Sequence, residues 1–240
     1  LEETKEFLKA IPSFPLDVSI AGYYLRTTHI SYGLYLERLN KNTEKFTNIQ
    51  ERILKETGDY LKTRYGIITL SVQHLIESHK DFGNLLLFVS LLDSQHIPRS
   101  LLDRYQKDED LVDSFLFDLK KHSLAINDWG PSLPKNLTFS MHRNTQEICL
   151  AYLTKTRALR TNKQPLHQMA KDLEEHIAGF IEKEDLVKLR LLLSHCNKFL
   201  THETLLTEKI KNYLRNELAG IYLYLGNYLM WAGFLLFTLD

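Results

Sequence analysis

Apolar residues recur at one-turn spacing along most of this chain, which predicts a mainly helical protein. In the segment 82–92, one apolar stripe comprises Phe82, Leu85, Leu86, Val89 and Leu92. The period changes to two over residues 137–141, where apolar Leu, Phe and Met alternate with polar Thr and Ser. A helical pattern resumes directly afterwards, which puts His142 between a short strand and a helix. From these residues, His142 either caps the strand–helix corner or contacts something outside the core.

The predicted elements follow one another in a definite order. Helices are expected over 1–10, from 16 onward, and over 31–39, 67–76, 82–92, 98–105, 108–121, 166–182, 185–200 and 204–225. Residues 40–65 have few apolar anchors and are interpreted as a linker with a solvated helix. A β-hairpin is expected from residues 123–127, a turn at Gly130-Pro131 and the strand 137–141.

Three helices followed by a hairpin is the order of a winged helix. The predicted fold class is therefore mainly α: a helical bundle plus a winged helix with a small β-hairpin wing, followed by TPR-like α-helical repeats. The expected domains are a helical domain over 1–80, a winged-helix domain over 81–160 and the start of the helical repeats over 161–240.

The C-terminal segment from Leu218 to Leu239 carries no charged residue and is long enough for a transmembrane helix. Gly226-Asn227 interrupts it, however, and its aromatic residues lie throughout rather than at its ends. The segment matches the tetratricopeptide pattern better, with Gly226-Asn227 as a turn between two helices, so we predict no membrane span.

One repeat cannot bury both of its faces, so Asp240 is expected to be a cut within a longer protein. We expect the repeats to bind partner proteins. Self-association is expected through one group of apolar side chains: Tyr228, Trp231, Phe234 and Leu235.

The charge balance argues against nucleic-acid binding. The 240 residues include 30 basic and 30 acidic side chains, so there is no basic excess to attract a phosphate backbone. The helix 108–121, which would be the recognition helix of a winged helix, begins with three carboxylates. Both cysteines, Cys149 and Cys196, lie within apolar helical patterns and are interpreted as reduced structural thiols of a cytoplasmic protein. The chain begins at Leu1 without a signal-peptide pattern, and delivery into a host cell is left open.

Motifs that carry catalysis are missing from the sequence. It contains no Gly-rich loop ending in GK[ST], no GxSxG, no HExxH and no zinc-ligand spacing. We therefore predict that this chain is not an enzyme and has neither catalytic nor metal-binding residues. Slow ATPase activity is left open for an intact, longer protein.

Met141-His142-Arg143, followed by Asn144-Thr145-Gln146-Glu147-Ile148, resembles the Met-His-Asp or Met-His-Arg motif of STAND-type (NB-ARC) signalling ATPases. This nucleotide-switch family includes plant disease-resistance proteins, apoptosome regulators and many bacterial proteins. The resemblance implies that His142 contacts the β-phosphate of bound ADP. Arg143 stands where plant members have Asp, so no role is carried over for position 143.

Two further segments carry the same resemblance. Ser13-Phe14-Pro15-Leu16 and the helix after it resemble the Gly-Leu-Pro-Leu motif of the family's helical domain, with Ser13-Phe14 in place of Gly-Leu. This implies that Pro15 packs on the adenine, whereas the residues alone indicate a proline that starts a helix. The segments 97–102 and 122–126 resemble the family's winged helix in position and spacing.

The resemblance implies the regulatory and sensor half of a nucleotide-dependent switch, which holds the ADP state closed. ADP or ATP is then expected only in an intact protein with an upstream nucleotide-binding domain, and none in this chain. Two alternatives stay open: a TPR-type protein-interaction scaffold and a winged-helix transcription regulator. A Walker motif upstream of Leu1 would decide between them.

Overall fold

The chain, in a computed structural model, combines many helices with one small antiparallel sheet. The structure describes residues 2–11, 14–50, 59–126 and 138–237. The elements of this part are α1 (Glu2–Ala10), α2 (Pro15–Thr28), α3 (Tyr32–Gln50), α4 (Asp59–Ser78), α5 (Phe82–Leu91), β1 (Ile97–Pro98), α6 (Arg99–Tyr105), α7 (Glu109–Lys121), β2 (Ala125–Ile126), β3 (Thr138–Met141), α8 (Arg143–Thr156), α9 (Gln164–Glu182), α10 (Leu186–Leu200) and α11 (Glu208–Phe237). The predicted mainly α class is confirmed.

Helix α4 packs against both α2 and α3, and α1 packs against α3. Helix α3 continues to Gln50 and α4 begins at Asp59, so most of the segment expected to be a linker is helical. The apolar anchors of α3, Tyr35 and Leu39, are buried near its beginning. Adding a residue to an existing helix is easier than starting one, so the mainly polar sequence that follows can continue the helix.

A buried ion pair joins α2 to α4. Arg64 Nε lies 3.2 Å from Asp17 Oδ1, with the two side chains 4% and 0% exposed. The Arg64 guanidinium also lies 5.5 Å from the centre of the Phe14 ring. Two charges removed from water are tolerated only when each compensates the other, so this pair sets how α2 sits on α4.

Breaking the pair should destabilise the chain. Arg64→Met leaves the buried Asp17 carboxylate without this cation, and we expect a loss of about 3–5 kcal/mol in the free energy of unfolding. The double variant Asp17→Leu/Arg64→Met should recover most of that loss. Urea unfolding of both measures it, with Lys41→Met as the control, since that change removes an exposed pair to Glu37. A double variant as unstable as Arg64→Met would contradict this interpretation.

Helix α5 is the most buried element, with Phe82, Gly83 and every residue from Leu85 to Leu91 inaccessible to solvent. It packs against α4, α8, α9 and α10. The sheet lies beyond its C-terminus in the order β1-β3-β2, with Ile97 opposite Phe139 and Ala125 opposite Met141.

The strand β1 differs from the sequence prediction, which began a helix at Pro98. Ile97 and Pro98 form an edge strand, and α6 starts one residue later. An edge strand accepts proline because one side of it needs no amide donor. The strand partner β3 and the strand β2 fall within the predicted hairpin, whose turn at Gly130-Pro131 lies outside the described residues.

The C-terminus of α5 is held by a glutamine from α8. Gln146 Nε2 donates to the carbonyl oxygens of Val89 at 2.8 Å and Leu92 at 2.9 Å, and the side chain is 1% exposed. The amide of Met141 donates to the carbonyl of Ser94 at 2.8 Å, which fixes β3 to the same turn. The last carbonyls of a helix lack donors from the helix itself, and water does not reach these buried ones. The glutamine amide supplies hydrogen bonds to them instead.

Replacing this glutamine tests that role. Gln146→Leu leaves two buried carbonyls without their side-chain donor, and we expect a loss of roughly 2–4 kcal/mol in the free energy of unfolding. Gln168→Leu on α9 is the matched control, because Gln168 is exposed and bonds only to Asp172 on its own helix. Urea unfolding measures both, and equal stability of the two variants would contradict the assignment.

The last three helices pack against one another, and α9 also contacts α6 through a polar strip. Ser100 Oγ lies 3.1 Å from His176 Nε2, and Arg104 pairs with Glu175. The predicted turn at Gly226-Asn227 is wrong, since α11 runs unbroken from Glu208 to Phe237. A glycine inside a helix costs only about 1 kcal/mol, which long apolar neighbours with good helix propensity offset.

Among the residues that the structure describes, no helix combines the length and apolar character needed to cross a membrane. The side chains expected to drive self-association lie outside the described part: Tyr228, Trp231, Phe234 and Leu235. That expectation stays a prediction.

Candidate functional site

His142 lies between β3 and α8, as the change of period predicts. Its backbone, with φ −62° and ψ 128°, is extended and occupies the N-cap position of α8. The side chain makes no capping hydrogen bond and is exposed to solvent. It is therefore available to a ligand or a neighbouring domain at this corner.

The backbone on both sides of His142 is anchored to the core. Met141 is buried and its amide bonds to Ser94, while the amide of Gln146 donates to the His142 carbonyl at 2.9 Å. The Gln146 side chain in turn is bonded to the end of α5. A contact made by His142 would therefore need only side-chain rotation, since the chain around it is already positioned.

Arg143, unlike His142, has a partner on its own helix. Its Nε lies 3.1 Å from Glu147 Oε1 on the next turn of α8, and both side chains are more than half exposed. Such a pair between flexible exposed side chains contributes little to stability.

Pro15 begins α2, and Phe14 before it has an extended backbone. Both side chains are exposed, and Ser13 lies outside the described residues. Within the described chain, no hydrogen bond or ion pair joins Pro15 to His142; α4 packs against both α2 and α8. The two predicted nucleotide contacts therefore lie at the N-termini of two different helices that both pack against α4.

The described residues contain no group of three or more His, Cys, Asp and Glu arranged to hold a metal ion. The two cysteines are buried and unpaired with each other. Burial raises the pKa of Cys149 and of Cys196 to about 12, so both stay protonated thiols near neutral pH.

Three histidines with little exposure to solvent form a feature that the sequence pattern did not reveal: His122 and His195 are buried, and His176 is half-buried. His195 Nε2 lies 3.1 Å from the His96 carbonyl oxygen, His176 bonds to Ser100, and the His122 ring lies edge-on to His74 at 5.2 Å. Burial is the main cause that lowers the pKa of each of the three to about 4. Nearby cations, such as Arg104 beside His176, add to the effect. All three rings are therefore neutral near pH 7.

No family model, no curated protein and no solved structure matches this chain. Its functional interpretation therefore rests on the residues and the geometry described above.

These three histidines make the free energy of unfolding depend on pH. An unfolded chain takes up protons on these rings near pH 6.5, whereas the folded chain takes them up only near pH 4. The free energy of unfolding should have its full value above pH 6.5 and should fall as the pH drops towards 4. The decrease should be up to about 1.4 kcal/mol per pH unit for each ring. His195→Gln keeps a donor for the His96 carbonyl and should remove about one proton from this slope. Urea unfolding across this range measures it, and a variant slope equal to that of the parent would contradict the pKa assignment.

Proposed function

We propose that this chain is the regulatory and sensor half of a STAND-type nucleotide-dependent signalling switch. The observation that carries the proposal is His142, an exposed side chain on an anchored strand–helix corner within the resembling motif. In the intact protein, ADP would be bound mainly by an upstream nucleotide-binding domain. His142 would reach its β-phosphate from this side.

The order of elements supports the winged-helix part of the proposal. Helix α5 is followed by β1, α6, α7, β2 and β3, and β3 lies between the other two strands. A winged helix requires this succession: a helix, an edge strand, two helices and a hairpin. We accordingly assign 81–160 to this domain, 1–80 to a helical domain and 161–240 to a helical sensor region.

The proposed mechanism is a change in population between closed and open states. An imidazole that donates to a phosphate oxygen makes a charge-assisted bond worth about 1.5–3 kcal/mol. This bond forms only in the closed, ADP-bound state, so it biases the switch towards closure. A difference of about 2 kcal/mol corresponds to a roughly thirtyfold change in population. A protein ligand bound by the C-terminal helices would favour the open, ATP-bound state.

The transcription-regulator alternative is disfavoured by the surface of α7. Its exposed residues include Glu109, Asp110 and Phe117, and Asp113 pairs with Arg99 at 2.6 Å. Direct base recognition uses Arg, Lys, Asn or Gln on such a face, and carboxylates there would repel the DNA backbone.

The interaction-scaffold alternative rests on the tetratricopeptide pattern at the C-terminus. The continuous α11 removes the turn on which that assignment depended. Helices α9, α10 and α11 still present a helical surface to partner proteins, and this function is included in the proposed sensor role.

The proposal predicts the behaviour of His142→Ala in the intact protein. ADP should dissociate faster and basal signalling should rise, because the closed state loses one phosphate contact. The melting temperature should stay nearly unchanged, since the side chain is exposed and makes no cap bond. Nucleotide exchange and thermal unfolding are measured in the same preparation.

Arg143→Ala is the matched control, because it removes an adjacent exposed side chain from the same helix turn. It should leave ADP release unaltered. If His142→Ala instead lowers the melting temperature by several degrees with unchanged ADP release, His142 is a corner residue and the proposal fails.

A further inference from the structure

A groove of about 900 Å³ lies between α8, the turn after it and the end of α10. Its cationic side chains come from all three segments: Lys155 from α8, Arg160 from the turn and Lys198 from α10. The ring of His202 also lines it. Thr154 and Thr204 add hydroxyl groups to the wall. A volume of this size falls within the range of roughly 300–1,000 Å³ that is common for small-molecule sites. We name it the basic groove.

The cations of the basic groove have no anionic partner among the residues that the structure describes. Within the described part of the chain, no carboxylate forms an ion pair with Lys155, Arg160 or Lys198. Glu147 also lines the groove, but it is paired with Arg143 at one end. In a chain with equal numbers of acidic and basic residues, three uncompensated cations around one cavity concentrate positive potential there.

The walls of the groove are fixed by the core. Leu159 in the turn after α8 is fully buried, and Lys163 Nζ donates to the Leu205 carbonyl at 2.8 Å. His202 lies against the backbone of Leu91 at the end of α5, and its buried Nε2 has no hydrogen-bond partner within the described part of the chain. Groups held in place before binding lose little entropy when a ligand arrives.

We propose that the basic groove binds the phosphate group of a small organic phosphate that carries hydroxyls. Lys155, Arg160 and Lys198 supply charge-assisted donors for the phosphate oxygens. The free hydroxyls of Thr154 and Thr204 match alcohol groups on the remainder of the ligand. The lining offers no aromatic ring besides His202, which disfavours a nucleobase that needs stacking.

This site is separate from the proposed nucleotide contact. Lys155 follows His142 by almost the whole length of α8, about 20 Å at the rise of a helix. The inference does not rest on the STAND assignment, and His142→Ala should leave binding in the groove unchanged.

The test is a titration of the full chain with glycerol 3-phosphate at physiological salt, which screens non-specific surface attraction. Isothermal titration and amide chemical shifts should give saturable binding, with shifts confined to residues near 150–161 and 198–205. Glycerol should produce none of these shifts. Lys198→Ala and Arg160→Ala should each weaken binding at least about tenfold, as loss of one charge-assisted bond requires, whereas Lys198→Arg should retain it.

Lys183→Ala is the matched control, because this exposed lysine precedes α10 at the end opposite to Lys198. It should leave the affinity unchanged. Lys198 also lies in the last turn of α10, where a cation offsets the helix dipole. A purely structural role would lower the stability of the Lys198→Ala chain without changing its affinity for glycerol 3-phosphate, and that result overturns the proposal. Absence of saturable binding, or binding of a tetraglutamate peptide that glycerol 3-phosphate cannot displace, overturns it as well.

Discussion

Burial of α5 on all sides is the constraint on which the structure depends. A helix without a polar face must be covered by other helices, and its terminal carbonyls must find partners that are not water. Gln146 donates to the carbonyls of Val89 and Leu92, and His202 lies against the backbone of Leu91. Segments more than 50 and more than 100 residues away in the sequence must therefore meet at one helix end before α5 is stable. This requirement ties the second proposed domain to the third.

The same constraint positions both candidate sites. Because Gln146 is held by α5, the first turn of α8 cannot shift, and the His142 backbone just before it is held as well. The opposite end of α8 forms one wall of the basic groove, and His202, which contacts α5, belongs to the other. A ligand in the groove and a phosphate at His142 would thus act on the two ends of one anchored helix.

Buried polar groups fix how particular helices pack, but they make the fold less tolerant of acid and of substitution. The Asp17–Arg64 pair sets the position of α2 on α4. The neutral rings of His176 and His195 bond to a hydroxyl and to a backbone carbonyl, which an apolar side chain could not do. Each of these groups stabilises the fold only while its partner and its protonation state are maintained. The contacts that contain these polar groups are therefore more sensitive to acid and to single substitutions than the apolar contacts around α5.

The sequence by itself determined the elements whose signal is local. The apolar period predicted α5 and α7, and the change of period near residue 140 predicted β3, α8 and the position of His142 between them. Local pattern could not decide β1, since Ile97-Pro98 becomes a strand only by pairing with Thr138 and Phe139 far along the chain. Nor could it decide the continuity of α11 or the length of α3, because helix cooperativity and packing outweigh a single Gly-Asn pair or a polar run. The Asp17–Arg64 pair and the basic groove depend entirely on tertiary structure, since their residues come from separate helices whose approach only the packed core defines.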